Sequence, residues 1–148
     1  MPGRLAEGAG SACTDDDKWI NVMIVGIGTD LCIISRMGDI IERRGRRFLD
    51  RCFTQHEQHQ CGVDPPVVKS YAARFAAKEA CMKAFGLGWA GGLRFVDIGV
   101  EQDARGKPSL RLAGHAAQLA RQRGVTAIHL SLSHEGDMAL SVVVLETG

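Results

Sequence analysis

"RFAAKEACMKAFG", residues 74–86, is the densest fold signal in the chain. At about 100° per residue on a helical wheel, Ala73, Ala77, Ala80, Cys81 and Ala84 share one face. Side chains that small let a helix backbone approach a neighbouring element closely. Phe75 and Met82 fill the adjoining sector, and at its rim Glu79 and Lys83 stand four residues apart. Arg74 and Lys78 make a second such pair on the other flank. Read alone, Glu79 and Lys83 form a surface ion pair worth a few tenths of a kcal/mol. The other reading gives Glu79 a divalent cation, as a hard oxygen ligand, and turns Lys83 toward a phosphate.

Outward from that helix, which is expected over about residues 69–85 with Gly86 and Gly88 ending it, the elements alternate in type. "MIVGIGTDL" (residues 23–31) is apolar, β-branched and punctuated by glycine, which predicts a strand ending near Asp30. "ISRMGDIIERRG" places Ile34, Met37, Ile40 and Ile41 at helical spacing, arginines on the remaining face and Gly45 as a stop. Thr54 and Glu57 have the spacing of a capping box. "LRFVDIGVE" and "PSLRL" read as strands joined through the glycine of "QDARGK". "AGHAAQLARQRG" repeats at helical spacing, and "AIHLSLS" and "MALSVVVLE" read as two last strands joined by "HEGD". The order β-α-α-β-β-α-β-β predicts a small α+β domain with a mostly antiparallel sheet packed by helices.

A chain of 148 residues suits one domain. No apolar run approaches the roughly 20 residues needed to cross a bilayer, so a membrane role is not expected. Residues 1–22, with their Asp-Asp-Asp-Lys run, read as an added leader that is expected to be disordered, and Met23 as the natural start of a domain over 23–148. Without the leader's two basic and four acidic groups, 16 basic residues face 13 acidic ones, a net charge of +3. Much of this excess lies in "RMGDIIERRGRRFLDR" (36–51), too small a patch for general nucleic-acid binding. Cys13, Cys32, Cys52, Cys61 and Cys81 form no C-x-x-C pair, and reduced thiols in a cytoplasmic protein are expected. His56 and His59 between Cys52 and Cys61 match no common zinc spacing.

"GIGTDL" begins a dinucleotide fingerprint but has Leu31 where the third glycine belongs, which removes the support for a pyrophosphate loop. Asp30 remains, a helix cap or turn residue or else a ligand at a strand end. His129, Ser131 and Ser133 alternate onto one strand face, and no elbow glycine flanks either serine, which argues against a Ser-His hydrolase. His129 can equally be a satisfied core histidine.

Together "GIGTDLCIISR", "FTQHE", "RFAAKEACMKAFG" and "HLSLSHE" resemble the motifs of the holo-[acyl-carrier-protein] synthases, the small bacterial 4′-phosphopantetheinyl transferases, over essentially residues 23–148. In the loop "GLGWAGG", Leu87 and Trp89 depart from the smaller or more polar residues usual there. The resemblance implies that fold and an activity: Mg²⁺-dependent transfer of the phosphopantetheine arm of coenzyme A to a serine of apo acyl carrier protein, in fatty acid biosynthesis. It implies Asp30 and Glu79 as metal ligands, with Glu79, Lys83 and His129 in the chemistry. It assigns Arg74, Lys78, Lys83, Gly86, Lys107, Pro108 and His129 to coenzyme A, and Arg36, Arg43 and Arg44 to the acidic carrier protein. It also implies a homotrimer with active sites between neighbours.

Overall fold

The computed structural model describes residues 21–88 and 91–148. The leader expected over residues 1–22 therefore falls, apart from Asn21 and Val22, outside the described residues, as do Cys13 and Trp89. Strand β1 (Met23–Ile33) is followed by α1 (Ile34–Cys52), α2 (Gln55–Cys61) and α3 (Val68–Ala84). A short 3-10 turn (Phe95–Asp97) leads into β2 (Ile98–Gln102) and β3 (Pro108–Leu112), then α4 (Gly114–Gln122), β4 (Val125–Glu135) and β5 (Met138–Thr147). All strand pairs are antiparallel: β5 lies between β1 and β4 in one sheet, and β2 and β3 form a hairpin. The α+β reading is thus the observed architecture, with α2 as an additional short helix.

The small face of α3 lies directly against β1. A Cβ on Gly28 would stand 1.8 Å from the carbonyl oxygen of Ala80, and one on Gly26 would stand 2.1 Å from that of Ala84. Those two glycines exist for backbone contact with a helix, not for a pyrophosphate. Along β1, β5 and β4 the side chains alternate. Gly28, Asp30, Ala139, Ser141, Val143 and Leu145 face α3 and are buried. The opposite face presents Ile27, Leu31, Leu140 and Met138 to solvent.

The other side of α3 carries an aromatic cluster in which Phe53 meets Tyr71 edge-on at 4.8 Å and Phe75 stacks on Phe95 at 5.0 Å. That stack draws Phe95 into a 3-10 turn, which is why β2 starts at Ile98 and not, as expected, at Leu93. Thr54 and Glu57 close the capping box at the start of α2. Gly45 does not stop α1. At φ 55° and ψ −140° it kinks the helix into two segments, the second of which runs on to Cys52. Gly86, at φ 69°, ends α3 as expected, its amide bonded to Lys83 O at 2.8 Å and the next amide, of Leu87, to Met82 O at 3.0 Å. No helix among the described residues is long and apolar enough to cross a membrane.

Candidate active site

Asp30 comes to lie beside α3 because β1 continues to Ile33 with Asp30 paired to Ser141, not at a strand end. Asp30 is only 9% exposed. Its Oδ1 accepts from Lys83 Nζ at 2.9 Å, and the same ammonium donates to Thr29 O at 3.1 Å. Lys83 therefore bridges to β1, and no Lys83–Glu79 ion pair closes among the described residues. The contact with Asp30 raises the Lys83 pKa.

Asp30 Oδ2 is buried and accepts no hydrogen bond, and the hydroxyl of Ser141, its cross-strand neighbour, is also buried without a partner. Glu79 lines the same cleft as Asp30. Its pKa rises to about 7, first through burial and then through Asp30, with Lys83 opposing. The Glu79 carboxyl beside an Asp30 oxygen that has no hydrogen-bond partner makes a pair of hard oxygen donors that would suit a divalent cation. No cluster of three or more His, Cys, Asp or Glu suited to a metal occurs among the described residues. A pair of protein carboxylates is the donor set that suits Mg²⁺, which keeps waters and phosphate oxygens in its shell.

Asp30, Glu79, Met82, Lys83, Leu87 and Gly88 line a cleft of about 110 Å³. Met82, Leu87 and Gly88 were not among the expected site residues. Met82 lies three residues from Glu79 on the same helical face, a spacing that could have found it. Leu87 and Gly88 follow from the turn that Gly86 makes, and Gly86 itself lies just beyond the lining.

Other expected residues lie elsewhere. Lys78 belongs to the core: fully buried, it donates to Glu57 Oε2 at 2.7 Å, Phe95 O at 3.0 Å and Ile98 O at 2.7 Å. Three N–H groups meet three acceptors, so the coenzyme A contact expected of Lys78 is replaced by a structural one. Burial lowers its pKa and Glu57 opposes this. Arg74 is 5% exposed and donates to Gln60 Oε1 at 3.0 Å and to Ser70 O, facing α2 and not the cleft. Lys107 and Pro108 stand on the β2–β3 hairpin, where Asp103 accepts from the Lys107 amide, outside the cleft lining. His129 is exposed on the sheet face away from α3, bonded to Glu146 Oε2 at 2.6 Å. It is neither a core histidine nor a neighbour of Asp30 within one chain.

Arg36, Arg43 and Arg44 are exposed along the first segment of α1, above buried Met37 and Ile41. Cys52 and Cys61 are buried while His56 and His59 face outward, so the four make no zinc site. Cys32, Cys52, Cys61 and Cys81 are free thiols, and burial raises each pKa to about 11 or, for Cys81, about 12.

Residues 26–143 match the family model of the 4′-phosphopantetheinyl transferase superfamily, and the chain belongs to that superfamily. Within it, the chain is similar to curated holo-[acyl-carrier-protein] synthases. That of Geobacter metallireducens is 45% identical, covering 84% of this chain and 98% of its own length. That of Alkalilimnicola ehrlichii is 48% identical over the same share of each chain. Among solved structures, the holo-[acyl-carrier-protein] synthase of Neisseria meningitidis superposes with a TM-score of 0.76 at 36% identity, covering 83% of this chain and 98% of that one. The Bacillus anthracis enzyme, in complex with CoA (3′,5′-ADP), gives 0.69 at 35% identity, covering 85% and 99%.

Proposed function

We infer that the chain transfers the 4′-phosphopantetheine arm of coenzyme A to a serine of apo acyl carrier protein, leaving adenosine 3′,5′-bisphosphate, in fatty acid biosynthesis. The observation that carries this reading is the juxtaposition of Asp30, Glu79 and Lys83 in one cleft on a chain of this superfamily. The attacking hydroxyl oxygen bonds to the phosphorus that bears the pantetheine, the bond from that phosphorus to the bridging oxygen breaks, and the hydroxyl proton goes to a carboxylate or to water. Lys83, which lines the cleft and whose ammonium meets Asp30 Oδ1 and Thr29 O, would contact the attacked phosphate and offset charge on the departing oxygen. Asp30 and Glu79 would hold Mg²⁺, which supplies neutralisation of the diphosphate. The acidic carrier protein would dock on Arg36, Arg43 and Arg44.

The cleft is small beside the roughly 300–1,000 Å³ of pockets that enclose a drug-sized ligand, which is consistent with a site that a second copy completes. The apolar outer sheet face, with Ile27, Leu31, Met138 and Leu140 exposed, is suited to association with another copy. That face also carries His129, so a homotrimer built on it would offer His129 to a neighbour's cleft and its phosphates. The chemistry takes place in the cytoplasm, where coenzyme A, carrier protein and reduced thiols occur together. The test is release of adenosine 3′,5′-bisphosphate from coenzyme A, which should require the apo carrier protein. Binding of coenzyme A without release under any condition would reduce the chain to a nucleotide-binding module.

A further inference from the structure

We propose that Asp137, on the turn between β4 and β5, is the N-terminal cap of α1 and a positioning residue for carrier-protein docking; this rests on the docking role read for Arg36. Helix α1 follows β1 without a loop, so its N-cap position is occupied by Ile33, whose side chain has no oxygen to offer, and its first turn holds no acidic side chain. The first amides of a helix have no partner within it. Here they find Asp137 instead: its carbonyl accepts from Ile34 N at 2.8 Å and its Oδ1 from Ser35 N at 2.8 Å, while Ser35 Oγ donates to Oδ2. The cap lies 102 residues from the helix it serves. Its negative charge meets the positive end of the helix, and its own position is set by the β4–β5 hairpin of the sheet that carries Asp30.

The consequence for docking follows from Gly45. The break there separates the segment that bears Arg36, Arg43 and Arg44 from the rest of α1, so that segment cannot draw its orientation from the helix beyond. Two anchors hold it: the buried side chains of Met37 and Ile41 on one face, and Asp137 at the end. Arg36 is the residue directly after Ser35, whose amide and hydroxyl both bond Asp137.

The test compares Asp137→Ala, Asp137→Asn, Ser35→Ala and Arg36→Glu in transfer kinetics, with amide hydrogen exchange at Ile34 and Ser35. Loss of a cap costs about 1 kcal/mol, which converts to roughly a five-fold change. Asp137→Ala is therefore expected to raise the KM for carrier protein about five-fold, to leave the KM for coenzyme A within about two-fold, and to lose exchange protection at Ser35, whose amide bonds the side chain, while Ile34, whose amide bonds the main-chain carbonyl, serves as the internal reference. Asp137→Asn keeps an acceptor and should recover most of the loss; Ser35→Ala should show a smaller part of it. Intact protection of Ser35 in Asp137→Ala overturns the cap. Lost protection with an unchanged carrier-protein KM, while Arg36→Glu raises that KM, overturns the positioning role alone. If Arg36→Glu also has no effect, the docking reading fails and the positioning role fails with it.

Discussion

Glu79 and Asp30 line one cleft, and the raised Glu79 pKa has a thermodynamic consequence. The folded chain holds this proton up to about pH 7, whereas an ordinary glutamate releases it near 4.5. Folded protein thus binds more protons than unfolded protein between those values, so this contribution to stability is present at low pH and lost as pH rises through about 7. In metal-free buffer the Tm should fall over that window, and less so in Glu79→Gln; Mg²⁺ should restore it at the upper end. Equal pH dependence in wild type and Glu79→Gln would remove the carboxyl pair as its cause. Asp30→Ala and Glu79→Ala are each expected to lose about 100-fold or more in kcat, and Lys83→Ala a comparable amount with a smaller change in the KM for coenzyme A. Steady-state kinetics of folded variants checks this. The pair Asp30 and Lys83 was legible only as separate motifs, because their contact spans 53 residues and no local spacing encodes it.

At the scale of elements, α3 is held from two sides by different means, glycine contact with β1 and the buried Glu57–Lys78 pair toward α2 and β2. Breaking a buried ion pair leaves an uncompensated charge, so Lys78→Ala should destabilise by about 3–5 kcal/mol, and Glu57→Leu with Lys78→Met should also fall below wild type, because it takes their partner from Ile98 O and from the Val100 and Thr54 amides. Denaturant unfolding of the three proteins, wild type included, checks both halves. The capping box at Thr54 and the small face of α3 were readable because both are local patterns. The role of Lys78 was not, because its helical spacing from Arg74 says nothing of Glu57, 21 residues away. The glycines at 26 and 28 had a readable signal, two on the same strand face in a chain with an alanine-rich helix, which the dinucleotide pattern obscured. Helix α1 carries the three arginines proposed to dock the carrier protein. Arg36→Glu is expected to raise the carrier-protein KM and flatten its salt dependence, since exposed charges are screened over about 8 Å at physiological ionic strength. Superimposable rate curves for the two proteins at low and high salt would return the arginines to a solvated surface.

For the whole molecule, strand alternation foretold which residues share a face but not which face meets α3, so the position of His129 relative to Asp30 within the chain was not legible in the sequence. If copies associate through the outer sheet face, Glu79→Ala and His129→Ala chains mixed within one oligomer should regenerate sites with both side chains intact. With random assembly of equal amounts, one site in about four is expected to recover, and no recovery would show that His129 does not complete a neighbour's site. The α+β architecture was legible because each helix and strand has its own period, while an assembly would rest on an exposed surface that no period marks. The most direct measurement is the intact mass of apo acyl carrier protein after incubation with coenzyme A, Mg²⁺ and this protein. A gain of one phosphopantetheine arm with wild type, abolished by Glu79→Ala and by chelation, is the predicted result; an unchanged carrier-protein mass with folded wild-type protein would contradict it.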